Sequence, residues 1–336
     1  MEPAIFTLTI VILLILAAEF INGWTDAPNA IATIVSTGVL PPAIAVPMAA
    51  VFNFVGTLAG TAVATTIGKG IVESEFVTLP ALAGAMASII AWGGFAAYRG
   101  MPVSKSHALI SGLAGAGLAG GGFDALLWDG WVKVAYGLVF SLLLGFSGAF
   151  AIGSMIILLF SSASPMRANR IFDGLHIVSA AAMAFTHGLN DGQKFVGVFT
   201  LALVLGGVID SFVIDWKVMA LCAFVMGLGT SAGGWRIIAT IGKKMVDIGP
   251  WQGFTATTAG SLTIYAAAHF GIPLSTTHTI TSSIAGATSS VHARDVQWKV
   301  AFGIVRAWIY TFPVCCLLAY CAALLANALF VVSGPV

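Results

Sequence analysis

The amino-acid sequence describes an all-α, polytopic membrane protein made of two homologous halves. Composition is the first sign. Of 336 residues, 59% are hydrophobic and 8% charged, with a mean hydropathy of +1.00, where a soluble domain carries about 25% charged residues. Long apolar runs are the second sign, since a helix needs roughly 20 apolar residues to cross a bilayer. The third is a repeat. Residues 100–117 (GMPVSKSHALISGLAGAG) and 271–288 (GIPLSTTHTITSSIAGAT) match without a gap at an offset of 171, with eight of eighteen positions identical. The identities include Gly100/Gly271, Pro102/Pro273, Ser104/Ser275 and His107/His278. Such a match inside one chain marks two copies of one structural unit.

In order, the first apolar run covers about 4–21 and lacks the basic start and cleavage site of a signal peptide, so a retained helix is expected. The stretch 22–29 contains Gly23 and Pro28 and is expected to break this helix before a continuation at 30–36. Spans are expected at about 43–66 and 79–98. The first Ser/His element follows at 100–120 as a re-entrant piece, then a span at about 132–160. Residues 161–170 (SSASPMRANR) form a polar linker. The pattern then restarts with a helix from about 171, a break at 187–194 and a continuation at 195–209. Spans at 217–240 and 251–270, the second Ser/His element and a last span at 299–332 complete it. The halves are therefore 1–160 and 171–336. About four crossings per half would make the repeats parallel and a fifth would invert them; the basic loop residues do not decide between these.

A net charge of +1 gives no sign of a nucleic-acid partner. Cys222, Cys315, Cys316 and Cys321 lie in apolar runs without ligand spacing and are expected to be buried free thiols. No cofactor is indicated.

Charges inside apolar spans mark pathways or sites unless they are paired. Of thirteen carboxylates, Glu19, Asp26 and Asp191 fall in predicted spans or their breaks. Asp26 and Asp191 are repeat-equivalent at an offset of 165. Around Asp26 are Asn22, Thr25 and Asn29, and around Asp191 are Asn190 and Gln193. Carboxylates with amide and hydroxyl oxygens suit a small hard cation such as Na⁺, or a carried proton. The plain alternative is that they cap broken helix ends. Glu19 has no counterpart, its equivalent being Ala184, whereas His187 stands at the position of Asn22.

The Ser/His elements offer the opposite chemistry. Ser104, Ser106 and His107, and Ser275, Thr276, Thr277 and His278, follow a proline as at a helix N-terminus, where free N–H groups and the positive dipole end bind anions. Two such ends meeting in the membrane would form an oxyanion site. Hydroxyls acting as interhelical glue are the alternative. Lys105 and Lys194 could add charge, though a lysine near a span end more often snorkels to water. His176, His269 and His292 carry no role here. A cation set and an anion set, each duplicated, describe an ion-coupled anion symporter.

At these residues the chain resembles a known family. Gly23-Trp24-Thr25-Asp26-Ala27-Pro28-Asn29-Ala30 resembles the Gly-Ala-Asn-Asp-x-x-Asn-Ala signature of inorganic phosphate transporters (PiT), and Gly188-Leu189-Asn190-Asp191 resembles its second copy. The paired Pro-x-Ser-x-(Ser/Thr)-His elements match as well. The resemblance covers essentially the whole chain. It implies phosphate uptake coupled to Na⁺ or H⁺, inverted repeats, a homodimer and no enzymatic activity. The absence of a long internal soluble loop resembles bacterial or archaeal members of the cell membrane. Thr25 stands where the pattern has Asn, and Trp24 and Pro28 replace small residues.

A sulfate or other oxyanion permease of the same fold is the nearest rival. At neutral pH phosphate still donates a hydrogen bond and sulfate only accepts, so a phosphate site needs an acceptor facing the anion. An anion channel lined by the Ser/Thr elements is a second rival. A hydrolase using Ser104 or Ser275 lacks an acid partner.

Overall fold

The computed structural model describes residues 2–162 and 164–331, which are helical almost throughout. The first half comprises α1 (Glu2–Ser36), α2 (Pro42–Thr57), α3 (Ala62–Gly70), α4 (Leu79–Arg99), α5 (Lys105–Gly121) and α6 (Trp128–Phe160). The second comprises α7 (Pro165–His187), α8 (Gln193–Leu205), α9 (Trp216–Ala232), α10 (Trp235–Ala239), α11 (Pro250–His269), α12 (Thr276–His292) and α13 (Trp298–Val331). Among the described residues the only β pairing is an isolated Val72–Leu126 bridge. Four helices, α1, α4, α6 and α13, are each long and apolar enough to cross a membrane, and the bent pairs α2–α3 and α9–α10 bring this to six. α7 begins at Pro165, inside the stretch expected as a linker.

The breaks differ from those expected. α1 runs unbroken through 22–29 with Pro28 inside it. Proline removes one backbone bond, but neighbouring helices hold a buried span through such a loss. The second copy holds only a π turn, Gly188–Gly192, between two right-handed helical segments. The sharp bends lie one segment later, 69° between α2 and α3 and 61° between α9 and α10, in runs expected to be straight. Gly233 turns the second of these with φ +63°, a left-handed conformation open to glycine.

The Ser/His elements are short helices that double back. After α5, the amide of Glu73 donates to Ala125 O at 2.8 Å and Trp131 Nε1 to Ile71 O at 3.2 Å, so α5 ends where α4 began. After α12, the Gln297 amide donates to Met245 O at 2.9 Å in the same way. In each half the Ser/His helix thus returns the chain to the side from which the preceding helix started, and the second half enters inverted. The repeat-equivalent helices show this directly. Gly206, at the end of α8, packs on Leu8 near the start of α1. His176 near the start of α7 meets Thr33 near the end of α1, Nε2 to Oγ1 3.1 Å. The two helices run antiparallel.

The halves interlock. α1 packs on α9 as α7 packs on α2, and α5 packs on α13 as α12 packs on α6. The first two crossings are glycine-mediated: Gly23 lies on the Met226 carbonyl and Gly229 on that of Phe20, while Gly188 lies on Asn53 and Gly56 on Phe185. Two apolar clusters, one with Ile15, Ile67, Leu109 and Phe195 and the other with Ile31, Met183, Ile241 and Ile280, flank a polar middle. The outer faces carry exposed Leu143, Leu158, Val178 and Leu317, as lipid contact requires. Cys222 and Cys315 are buried as expected, but Cys316 is half-buried and Cys321 exposed, because α13 turns that side outward.

Gly23→Ala puts a methyl group against the Met226 carbonyl. It is expected to cost about 1–3 kcal/mol and lower the melting temperature in detergent by a few degrees. Gly94→Ala, with nothing within 4 Å of the new carbon, should leave it unchanged.

Candidate functional site

The site is built on one face of α1. Glu19, Asn22, Asp26 and Asn29 recur at helical spacing and are at most 2% exposed. On the antiparallel partner, His187, Asp191 and Lys194 occupy the positions equivalent to Asn22, Asp26 and Asn29. The π turn at Gly188–Gly192 carries Asp191 toward this face. Ser104 and Ser275 cap α5 and α12, each accepting from the amide three residues on, His107 N and His278 N, at 3.2 Å. These N-termini meet in the middle of the protein, where Ser106 Oγ donates to Leu274 O at 3.0 Å.

The contacts come in symmetric pairs with altered chemistry. Asn29 Nδ2 donates to Thr277 Oγ1 at 3.1 Å and to Thr276 Oγ1 at 3.2 Å. Its equivalent, Lys194, donates through Nζ to Ser106 Oγ, the equivalent of Thr277. Asp191 Oδ2 accepts from Thr276 Oγ1 at 2.7 Å. Asp26, its equivalent, faces Lys105 Nζ at 3.6 Å, at the position of Thr276. Lys194 Nζ also donates to Asp191 Oδ1 and, at 2.8 Å, to Leu274 O. Each aspartate therefore has its own ammonium, and both lysines are 1% exposed.

His187 completes the middle. Nδ1 lies 2.9 Å from Asn53 Oδ1 and Nε2 3.3 Å from Asp191 Oδ2. Asn53 Oδ1 can only accept, so Nδ1 carries the proton toward it, and Nε2 is turned to the Asp191 carboxylate. One ligand atom from each of Asp26, His187 and Asp191 lies within 4.8 Å of the others.

The remaining expected residues divide. Asn22 Nδ2 donates to Glu19 Oε2 at 3.0 Å. The Thr25 hydroxyl donates to Ile21 O at 2.7 Å, beside Asp26. Asn190 Nδ2 donates to Ile272 O at 3.3 Å. Gln193 turns to α3, where Oε1 accepts from Val63 N at 3.2 Å. The rings of His107 and His278 face each other, centroids 4.5 Å apart, and pack on Phe312 and Trp308 of α13. Both lysines, which the sequence offered as added charge but set against snorkelling to water, are buried members of the cluster. The available signal was position: Lys194 stands at the repeat position of Asn29, and Lys105 at that of Thr276.

Lys194→Met strands the buried Asp191 carboxylate and is expected to cost about 3–5 kcal/mol. The double variant Asp191→Asn/Lys194→Met should recover most of that loss in detergent melting. A thermodynamic cycle without coupling would refute the ion pair.

Comparison with known proteins accords with this architecture. The family model described as "Phosphate transporter family" matches residues 22–167 and 158–319. The "Probable low-affinity inorganic phosphate transporter" of Bacillus subtilis is 39% identical, covering 98% of this chain and 100% of that protein. Its namesake in Rhizobium meliloti is 42% identical over 90% and 91%. A solved structure described as "The sodium-dependent phosphate transporter" superposes with a TM-score of 0.81 at 21% identity, covering 96% of this chain and 99% of that one, a likeness of fold. With its two family matches and these relatives, the chain belongs to the phosphate transporter family.

Proposed function

We propose that this multi-pass membrane protein imports inorganic phosphate across the cell membrane by symport with Na⁺ or H⁺. The observation that carries the reading is the meeting of two helix N-termini, α5 and α12, against a cluster of buried carboxylates and lysines where two inverted halves cross. The first-turn N–H groups of these helices have no intrahelical acceptor, and the dipole ends favour an anion. Ser104, Ser106, His107, Ser275, Thr276, Thr277 and His278 form the phosphate side. Asp26, Asn22, Thr25, Asn29, Asp191, Asn190 and Gln193 form the coupling-ion side, with Asp26 and Asp191 as ligands when the ion is Na⁺. The lysines supply positive charge toward the oxyanion. Asp26 or Asp191 supplies the acceptor that a protonated phosphate oxygen needs and a sulfate does not. Alternating access follows from rocking of the two inverted units about a central site. The protein acts as a homodimer.

The test is uptake of radiolabelled phosphate into proteoliposomes under an imposed Na⁺ or pH gradient, with excess sulfate as competitor. Accumulation driven by one gradient and resistant to sulfate is expected. Loss to sulfate competition would favour the oxyanion permease, and flux that neither saturates nor accumulates would favour a channel. Asp26→Asn and Asp191→Asn should abolish accumulation in folded protein. Ser104→Ala or Ser275→Ala should raise the half-saturating phosphate concentration about tenfold, the loss of one hydrogen bond to a charged group.

A further inference from the structure

The charges buried in the middle of the protein do not balance. Among the described residues, three carboxylates are buried, Glu19, Asp26 and Asp191, and two lysines, Lys105 and Lys194. Lys105 lies 3.6 Å from Asp26, and Lys194 bonds Asp191 directly. Glu19 has no cationic side chain. It is 0% exposed, and its sole hydrogen bond comes from the amide of Asn22, at 3.0 Å to Oε2. Its other oxygen, Oε1, has no partner, and neither has Asn22 Oδ1 one turn away. Both atoms are acceptors left without a donor. The other ionisable groups that act on Glu19 are Asp191, Lys194 and Asp26 farther along the polar face, and the thiol of Cys222 on α9. None of them adds a positive charge that an aspartate does not already hold.

We propose that Glu19, with Asn22 beside it, binds the coupling cation, one positive charge arriving as Na⁺ or as a proton. The inference rests on the symport reading and relocates its cation from the two aspartates. Each aspartate is neutralised by a lysine of the protein itself, whereas an unpaired carboxylate among apolar helices is stable only with a bound cation or proton. The site occurs once, because the repeat places Ala184 opposite Glu19. It shares one face of α1 with Asp26, so cation binding at Glu19 reaches the phosphate cluster along a single helix.

The experiment uses the full chain in proteoliposomes and measures two quantities, phosphate accumulation under Na⁺ or pH gradients and phosphate–phosphate exchange at equilibrium. Exchange carries no net cation, so it isolates the anion side. Wild type is expected to accumulate under one gradient, which names the cation. Glu19→Gln, which keeps the shape and removes the charge, is expected to lose accumulation at least tenfold while losing a clearly smaller share of exchange. Glu19→Asp, which keeps the charge, is expected to accumulate, with the half-saturating cation concentration raised about tenfold. Accumulation by Glu19→Gln at the wild-type level overturns the proposal and leaves the symport reading intact. Loss of exchange together with accumulation, or an unchanged cation dependence in Glu19→Asp, also overturns it. A wild type that accumulates under neither gradient overturns both.

Discussion

A carboxylate inside a hydrocarbon layer needs a positive charge within reach, and the central helices are arranged around how Asp26 and Asp191 meet theirs. Asp26 sits in the C-terminal half of α1 and Asp191 in the π turn of its inverted equivalent. The antiparallel crossing brings the two acids together with His187 between them. Two like charges at such a distance repel, and at low dielectric the repulsion is severe. Lys105 comes from the first turn of α5 and Lys194 from the first turn of α8. A lysine on a helix N-terminus is unfavourable against the dipole. Lys105 is held there because Asp26 opposes it at 3.6 Å.

The rest of the fold makes this crossing close enough to matter. Glycine at both α1–α9 and α2–α7 lets backbones touch where side chains would hold them apart. In a membrane, where apolar contact gives little net drive, close packing of small residues is what holds helices together. The interlocking also explains why the Ser/His helices stop short of a full pass. Each begins at the crossing, packs along the last helix of the opposite half, and returns to the end it came from. Their first-turn amides consequently lie in the protein interior, where no lipid can reach them.

Much of this was legible in the sequence. Hydropathy found the spans, and the Gly-x-Pro-x-Ser match at offset 171 found the halves and both helix ends that meet at the centre. The break positions were not legible. Pro28 has the local chemistry of a helix breaker, yet packing on α7 and α9 carries α1 through it. Gly60 and Gly233 lie within apolar runs that read as continuous, and there the chain bends. The inversion escaped the count because α5 and α12, which carry the chain back after α4 and α11, are rich in glycine, serine and threonine. The burial of the lysines was not legible for a related reason. Hydropathy weighs a lysine by the residues beside it, whereas Lys194 is buried by Leu274 and Ser106, 80 and 88 positions away.

Placing the halves in register shows where their symmetry fails, and the failures concern charge. Asn29 faces Lys194, Thr276 faces Lys105, and Glu19 faces Ala184. A perfectly symmetric pair of sites would offer two equal cation positions. The two lysines fill the positive side of both aspartates with covalently held charge that cannot leave with the substrate. The carboxylate present in one half only then restores a single negative charge, beside the same crossing. A carrier must release what it binds, so the charges that stay and the charge that travels have to reside on different groups. Inverted duplication supplies the scaffold and the central helix ends in pairs; in the proposed symport, substitution at three positions separates the fixed charges from the exchangeable one.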